Sequence, residues 1–158
     1  MTKLAWARLV PELIVTDLDR SLRFYIELLG FNLRFTRPED RFAYIDREGA
    51  ELMLEQTEAG WRTGALDLPY GRGVNFQIEV SNGHALAARL IRAGHPFFRP
   101  PAERWYRAGA SENGHYEFLI QDPDGYLLRF AEFLGERPLS LDNETQSRRT
   151  AEGNPSST

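Results

Sequence analysis

A chain of 158 residues with 42% hydrophobic and 27% charged content matches a soluble globular protein, long enough for one domain or two small fused modules. It has no cysteine, which excludes disulfides, thiolate metal centres and cysteine nucleophiles and suits a reducing, cytoplasmic compartment. The formal charge of −4, without a basic stripe, argues against a nucleic-acid partner, and no apolar run reaches the length of a membrane span.

Residues 1–15 carry no apolar run of the secretory type. Leu9–Val15 reads as a strand, with Pro11 near its start. Asp17 is placed as a helix N-cap, Leu22, Tyr25, Ile26 and Leu29 follow at helical spacing, and Gly30 is placed to end the helix in a left-handed turn. Strands are expected at Phe31–Thr36, Phe42–Ile45 and Glu51–Gln56, the last two joined by a turn at Asp46–Gly49. The order then recurs. Val74–Val80 is a strand, Asn82 a cap, Leu86, Leu90 and Ala93 a helical stripe, and Gly94 a stop. Short strands follow at Pro96–Arg99, Tyr116–Gln121 and Tyr126–Phe133, with Asp122–Gly125 as the last turn. Gly71-Arg72-Gly73 lacks the spacing of a phosphate loop and reads as a connector. From Gly135 to Thr158 apolar residues almost vanish, which predicts disorder.

The recurrence holds by offset: Asp46–Gly49 maps onto Asp122–Gly125 at a shift of 76 residues, and Leu13 and Val15 map onto Ile78 and Val80 at a shift of 65. The difference is an insertion between Phe98 and Tyr116, read as a longer loop. Two modules are therefore expected, at residues 1–67 and 68–134, each unable alone to cover its apolar sheet face, with a tail at 135–158.

A doubled βαβββ unit carrying 15–25 (VTDLDRSLRFY), 28–31 (LLGF) and 122–126 (DPDGY) resembles the glyoxalase/bleomycin resistance protein/dioxygenase group, also known as the vicinal oxygen chelate superfamily. Residues 49–55 (GAELMLE) most resemble the bleomycin resistance branch. The resemblance implies an α+β fold in which two modules form a curved, eight-stranded mixed sheet with helices on the convex side and a cavity on the concave one. It also implies a homodimer that builds each site from both chains. Metal-dependent members place a His or Glu on the first and last strand of each module. The corresponding positions are Val10, Met53, Asn75 and Arg129. Valine has no donor atom, a guanidinium is not a ligand, a thioether is too soft for the ions this family uses, and one amide oxygen is weak. No metal and no other cofactor is therefore expected. His84, His95 and His115 match no ligand position and are expected at the surface or at caps, His115 in a loop.

Strand alternation, counted from those positions, places Glu12, Glu51, Met53, Glu55, Asn75, Gln77, Glu79 and Arg129 on the concave face, and Leu13, Val15, Phe76, Ile78 and Val80 behind it. The expected ligand-binding set is Glu12, Met53, Glu55, Trp61, Asn75, Gln77, Trp105, Tyr106 and Arg129, with the aromatic residues on loops beside the cup; no catalytic residue is assigned. A carboxylate-rich cup suits a cationic or hydrogen-bond-rich small molecule. Arg129 paired with Glu12 or Glu79 as a structural network is the alternative. Three functions follow: metal-free binding of a small molecule, such as sequestration of a bleomycin-like antibiotic; a lyase, isomerase or dioxygenase with a non-standard site; or an immunity or interaction module with a vestigial pocket.

Overall fold

The structure, a computed structural model, describes residues 6–139. The elements run β1 (Glu12–Ile14), α1 (Leu18–Leu22), β2 (Asn32–Arg37), β3 (Phe42–Arg47), β4 (Ala50–Glu55), β5 (Asn75–Glu79), α2 (Gly83–Arg92), β6 (Arg99–Ala108), β7 (Ser111–Gln121) and β8 (Leu127–Pro138). This is the α+β order expected, with one architectural correction. The strands form two four-stranded sheets, β1-β4-β3-β2 and β5-β8-β7-β6, not one curved sheet of eight. Each module closes its own ladder: β1 lies parallel to β4, β5 parallel to β8, and the other pairs are antiparallel.

Side-chain packing joins the two sheets instead. Leu13, Ile45, Leu52 and Leu54 from the first sheet share one buried cluster with Ile78, Phe118, Ile120, Leu128 and Phe130 from the second and with Leu86 and Leu90 from α2. Each such side chain contributes about 1.5–3 kcal/mol by leaving water. The Asp122–Gly125 turn then pins the second module to the first. Asp124 accepts hydrogen bonds from the Thr16 N–H (3.0 Å) and from Arg20 (2.9 Å), while Asp122 accepts one from the Tyr25 hydroxyl (3.0 Å).

The local signals hold at both helix starts. Asp17 accepts from the Arg20 N–H and Asn82 from the Ala85 N–H, satisfying donors that the first turn leaves open. Gly30 and Gly94 adopt φ of 74° and 66°. The β3–β4 turn has Glu48 and Gly49 both at positive φ, the type I′ geometry that matches strand twist.

Two differences have identifiable causes. After Leu22 the first helix widens into a π-type turn, Arg23–Leu28, in which the Leu29 N–H bonds to the Phe24 carbonyl. The extra residue rotates the stripe, so Phe24, Tyr25 and Leu29 are buried while Leu22 and Ile26 are only partly so. The insertion is also no loop. Arg99–Ala108 and Ser111–Gln121 form a long hairpin closed at Gly109-Ala110, which places His115, Trp105 and Tyr106 on strands. β8 extends with it through Gly135 to Pro138, so these residues are paired strand where a disordered tail is expected. The remainder of that tail, from residue 140, lies outside the described residues.

Candidate functional site

In the first sheet, β4 sends Leu52 and Leu54 into the core and turns Glu51, Met53 and Glu55 to the opposite face. Parallel pairing sets Glu12 beside Met53 and Ile14 beside Glu55. The Glu12 and Glu55 carboxyl groups lie within hydrogen-bonding reach. Burial, then the Glu55 charge and that hydrogen bond, raise the Glu12 pKa, with Arg37 partly opposing. A cavity of about 310 Å³ opens here, lined by Glu12, Ile14, Trp61, Arg62, Leu66 and Tyr126. Trp61 stands 95% exposed at its margin. Glu51 is not a free rim carboxylate. It is buried, accepts from the Tyr44 hydroxyl, and pairs with Arg34 at 2.8 Å. Arg34 in turn lies 4.4 Å over the Trp6 ring, which meets Tyr44 edge-on at 5.1 Å. Trp6, Arg34 and Tyr44 escaped the sequence analysis because their meeting depends on how Trp6, outside any strand, folds back over the β2–β3 pair.

In the second sheet the decisive residue is Glu117, also missed. It is 1% exposed; its Oε2 accepts from Nε (2.7 Å) and Nη2 of Arg129, and its Oε1 accepts from the Tyr106 hydroxyl (2.5 Å) and lies 3.3 Å from Arg104 Nε. The expected pairing of Arg129 with Glu12 or Glu79 is therefore corrected to Glu117. The reason is position: Glu117 stands one strand from Arg129, beside Ala131 in the β7–β8 register, whereas Glu12 belongs to the other sheet. Burial, followed by Glu117's hydrogen bond and charge, raises the Tyr106 pKa. The Arg129 guanidinium also sits 5.2 Å from the centre of the Tyr106 ring. Gln77 is Arg129's register neighbour on β5, and Asn75 and Glu79 are exposed on the same strand.

Trp105 leaves the set. It alternates with Tyr106 and so faces the other side, where its ring covers Gly114 and carries Arg137 at 4.0 Å. Of the expected residues, then, Tyr106, Arg129, Gln77 and Asn75 lie in one sheet, while Glu12, Met53 and Glu55 lie in the other, with Trp61 on the loop after β4. Among the described residues no hydrogen bond or ion pair joins the two groups. His84 caps against Glu132 at 3.0 Å and stacks on Tyr116 at 3.6 Å; His95 packs at 5.3 Å from Phe24, and burial lowers its pKa.

The donor set does not fit the metal that the fold implies. Met53 offers a thioether, Asn75 one exposed amide, Val10 nothing, and Arg129 a cation already bound to a carboxylate. Among the described residues no three His, Asp or Glu side chains are grouped to hold an ion.

The sequence profile of the Glyoxalase/Bleomycin resistance protein/Dioxygenase superfamily matches residues 5–130, and the chain belongs to that family. It is 28% identical over 132 residues to a bleomycin resistance protein of Geobacillus stearothermophilus, covering 77% of this chain and 92% of that one. It is 29% identical over 122 residues to a lactoylglutathione lyase of Haemophilus influenzae, covering 75% and 86%. The crystal structure of TioX from Micromonospora sp. ML1 shares the fold, with a TM-score of 0.64 at 23% identity over 81% of this chain and 99% of that one. No described helix is long and apolar enough to cross a membrane.

Proposed function

We propose that this protein binds a small molecule without a metal ion, in the manner of a sequestering protein and not of a metalloenzyme. One observation carries the proposal: at the last-strand ligand position stands Arg129, whose guanidinium donates to the buried Glu117 carboxylate. A cation fixed there repels a divalent ion instead of binding it. The cavity at Glu12, Trp61 and Tyr126, with Glu55 beside Glu12, supports a ligand with a cationic or hydrogen-bond-rich part, such as a bleomycin-type glycopeptide, in line with the bleomycin resistance relatives. A cytoplasmic homodimer belongs to the same proposal, since Leu9 (83% exposed), Leu33 (46%) and Phe35 (38%) leave apolar surface for a second copy.

The test is elemental analysis of the dialysed full-length protein, then thermal melts with zinc, nickel or manganese and with metal-free bleomycin. The expected outcome is no stoichiometric metal, no stabilisation by the ions and stabilisation by the glycopeptide. That stabilisation should weaken in Glu12→Gln. Stoichiometric metal, with turnover of the hemithioacetal of glutathione and methylglyoxal, would instead establish the lyase reading that the lactoylglutathione lyase relatives favour.

A further inference from the structure

We infer that the outer half of the second sheet is a recognition site for a carboxylate carried on an aromatic ring. The inference goes beyond the preceding proposal: it concerns a second face, in the other sheet from the Glu12 cavity, and names the chemical class of the group held there.

The site belongs to the part of the second module that the first lacks. β2, β3 and β4 are six residues each, whereas β6, β7 and β8 run to 10, 11 and 12. The extra length carries Arg104, Tyr106, His115 and Phe133. Arg104 faces His115 across the β6–β7 ladder, and His115 faces Phe133 across β7–β8. These side chains share the face of Glu117 and Arg129, because strand residues two apart point the same way.

Charge comes first. One buried carboxylate, Glu117, serves two guanidiniums, Arg104 at 3.3 Å and Arg129. The cluster therefore keeps one positive charge in excess. Its register neighbours Ala102, Leu119, Ala131 and Gln77 are neutral. Two exposed carboxylates share that face: Glu79, two strands from Glu117 through Ala131, and Glu136, two strands from Tyr106 through Asn113, each about 10 Å away at the usual strand spacing. Solvent screens both at that distance.

Donor accounting comes second. Glu117 is occupied by Arg129 and Tyr106, which leaves Arg104 close enough for attraction but not for bonding. Arg104 Nε is buried and has no hydrogen-bond partner among the described residues, while its side chain stays 36% exposed. The His115 Nδ1 is likewise buried and unpartnered. A guanidinium held by charge at its buried Nε, with its Nη groups drawing no hydrogen bond among the described residues, is a ready partner for a planar carboxylate on the Nη side.

Apolar surface comes third. The His115 ring lies 6.2 Å from Tyr106 and 5.7 Å from Phe133, and those two outer rings are 40% and 50% exposed. Flat rings beside a free guanidinium suit an arene better than an aliphatic chain. The single excess charge suits a monoanion.

The probe is 1-naphthoate, titrated into the full-length chain by calorimetry, with 1-naphthylmethylamine and 1-naphthalenemethanol as cationic and neutral counterparts. Naphthoate should bind saturably and more tightly than either. Arg104→Gln should weaken it by about tenfold or more, the loss of a charge-assisted hydrogen bond pair. Tyr106→Ala should weaken it too, because it removes the ring and frees the Glu117 oxygen that Arg104 would then satisfy. Arg104 lies on an edge strand and is partly exposed, so its variant is expected to fold; a thermal melt of each variant verifies this. The inference is overturned if naphthoate does not bind at millimolar concentration, if the amine binds as tightly, or if Arg104→Gln leaves naphthoate affinity unchanged. Repeating the titration with EDTA and with excess zinc separates the two proposals. Affinity that requires zinc refutes metal-free binding, while the Arg104 dependence decides the carboxylate site.

Discussion

Asp122 offers the sharpest quantitative test of how the modules are joined. It is 5% exposed, one carboxylate oxygen accepts the Asp124 and Tyr126 N–H groups at 2.9 Å, and the other accepts the Tyr25 hydroxyl at 3.0 Å. Burial dominates over these hydrogen bonds, and the neighbouring Asp124 charge adds to it, so the pKa is raised from 3.8 to about 6. The native state then binds a proton that the unfolded chain has released between about pH 4 and pH 6, so stability falls as pH rises through that window and levels off above it. At about 1.4 kcal/mol per pH unit, the ionised native state loses about 3 kcal/mol relative to an unperturbed carboxylate. Asp122→Asn keeps the geometry: its oxygen can accept the two N–H groups while its amide donates to Tyr25. Urea denaturation of both proteins from pH 4 to pH 8 measures the effect. Other carboxylates shift in both proteins, so the variant's stability minus the wild type's isolates this one group. That difference should rise by about 2.4 kcal/mol between pH 4 and pH 7, most of the full shift, and then stay constant. A difference that does not change with pH would refute the reasoning.

Three further outcomes can be measured by the same denaturation. Glu117→Ala should cost about 3–5 kcal/mol, because it strands Arg129 and Arg104 near one another without a counter-charge; adding Arg129→Leu should recover part of that loss. Asp17→Ala and Asn82→Ala should each cost about 1 kcal/mol and sum in the double variant, since each cap serves its own helix. Gly125→Ala should cost roughly 2 kcal/mol or more, because φ is +97° and the new Cβ would stand 2.3 Å from Pro69 Cβ; Gly49→Ala, at φ +91° with nothing near, should show the smaller backbone strain alone.

The features legible in the sequence were those written by neighbouring residues. Asp17, Asn82, Gly30 and Gly94 mark helix ends because caps and left-handed stops are settled within a turn. Alternation along single strands likewise placed Leu13, Val15, Ile78 and Val80 behind the concave face, where the core lies. The partner of Arg129 was illegible for the opposite reason. It stands 12 residues away on a neighbouring strand, and a register slip of one would have turned Glu117 into the core. The insertion between Phe98 and Tyr116 read as a loop, whereas its prolines Pro100 and Pro101 lie on the edge strand β6 and Gly109 closes the hairpin. That error carried Trp105 into the expected site. Once Arg99–Ala108 is a strand, Trp105 and Tyr106 must face opposite ways.

The two modules resolve one problem alike and then diverge. Each buries a glutamate on the sheet face that points away from the core, Glu51 in the first and Glu117 in the second, and each answers it with a tyrosine hydroxyl and an arginine. Such pairs add little net stability, since desolvating both charges offsets most of their attraction, and an apolar pair would serve a sheet at least as well. What they do supply is fixed direction: an aromatic ring and a guanidinium held at set positions on an otherwise open face. In the first module the charges balance, Arg34 against Glu51, and the arginine lies over Trp6 and Tyr44. In the second module the lengthened hairpin adds Arg104 to an already satisfied pair, and the balance tips to positive. The repeat thus gives one frame twice, and the insertion sets its halves apart: a carboxyl pair at Glu12 and Glu55 in one, an unspent guanidinium in the other.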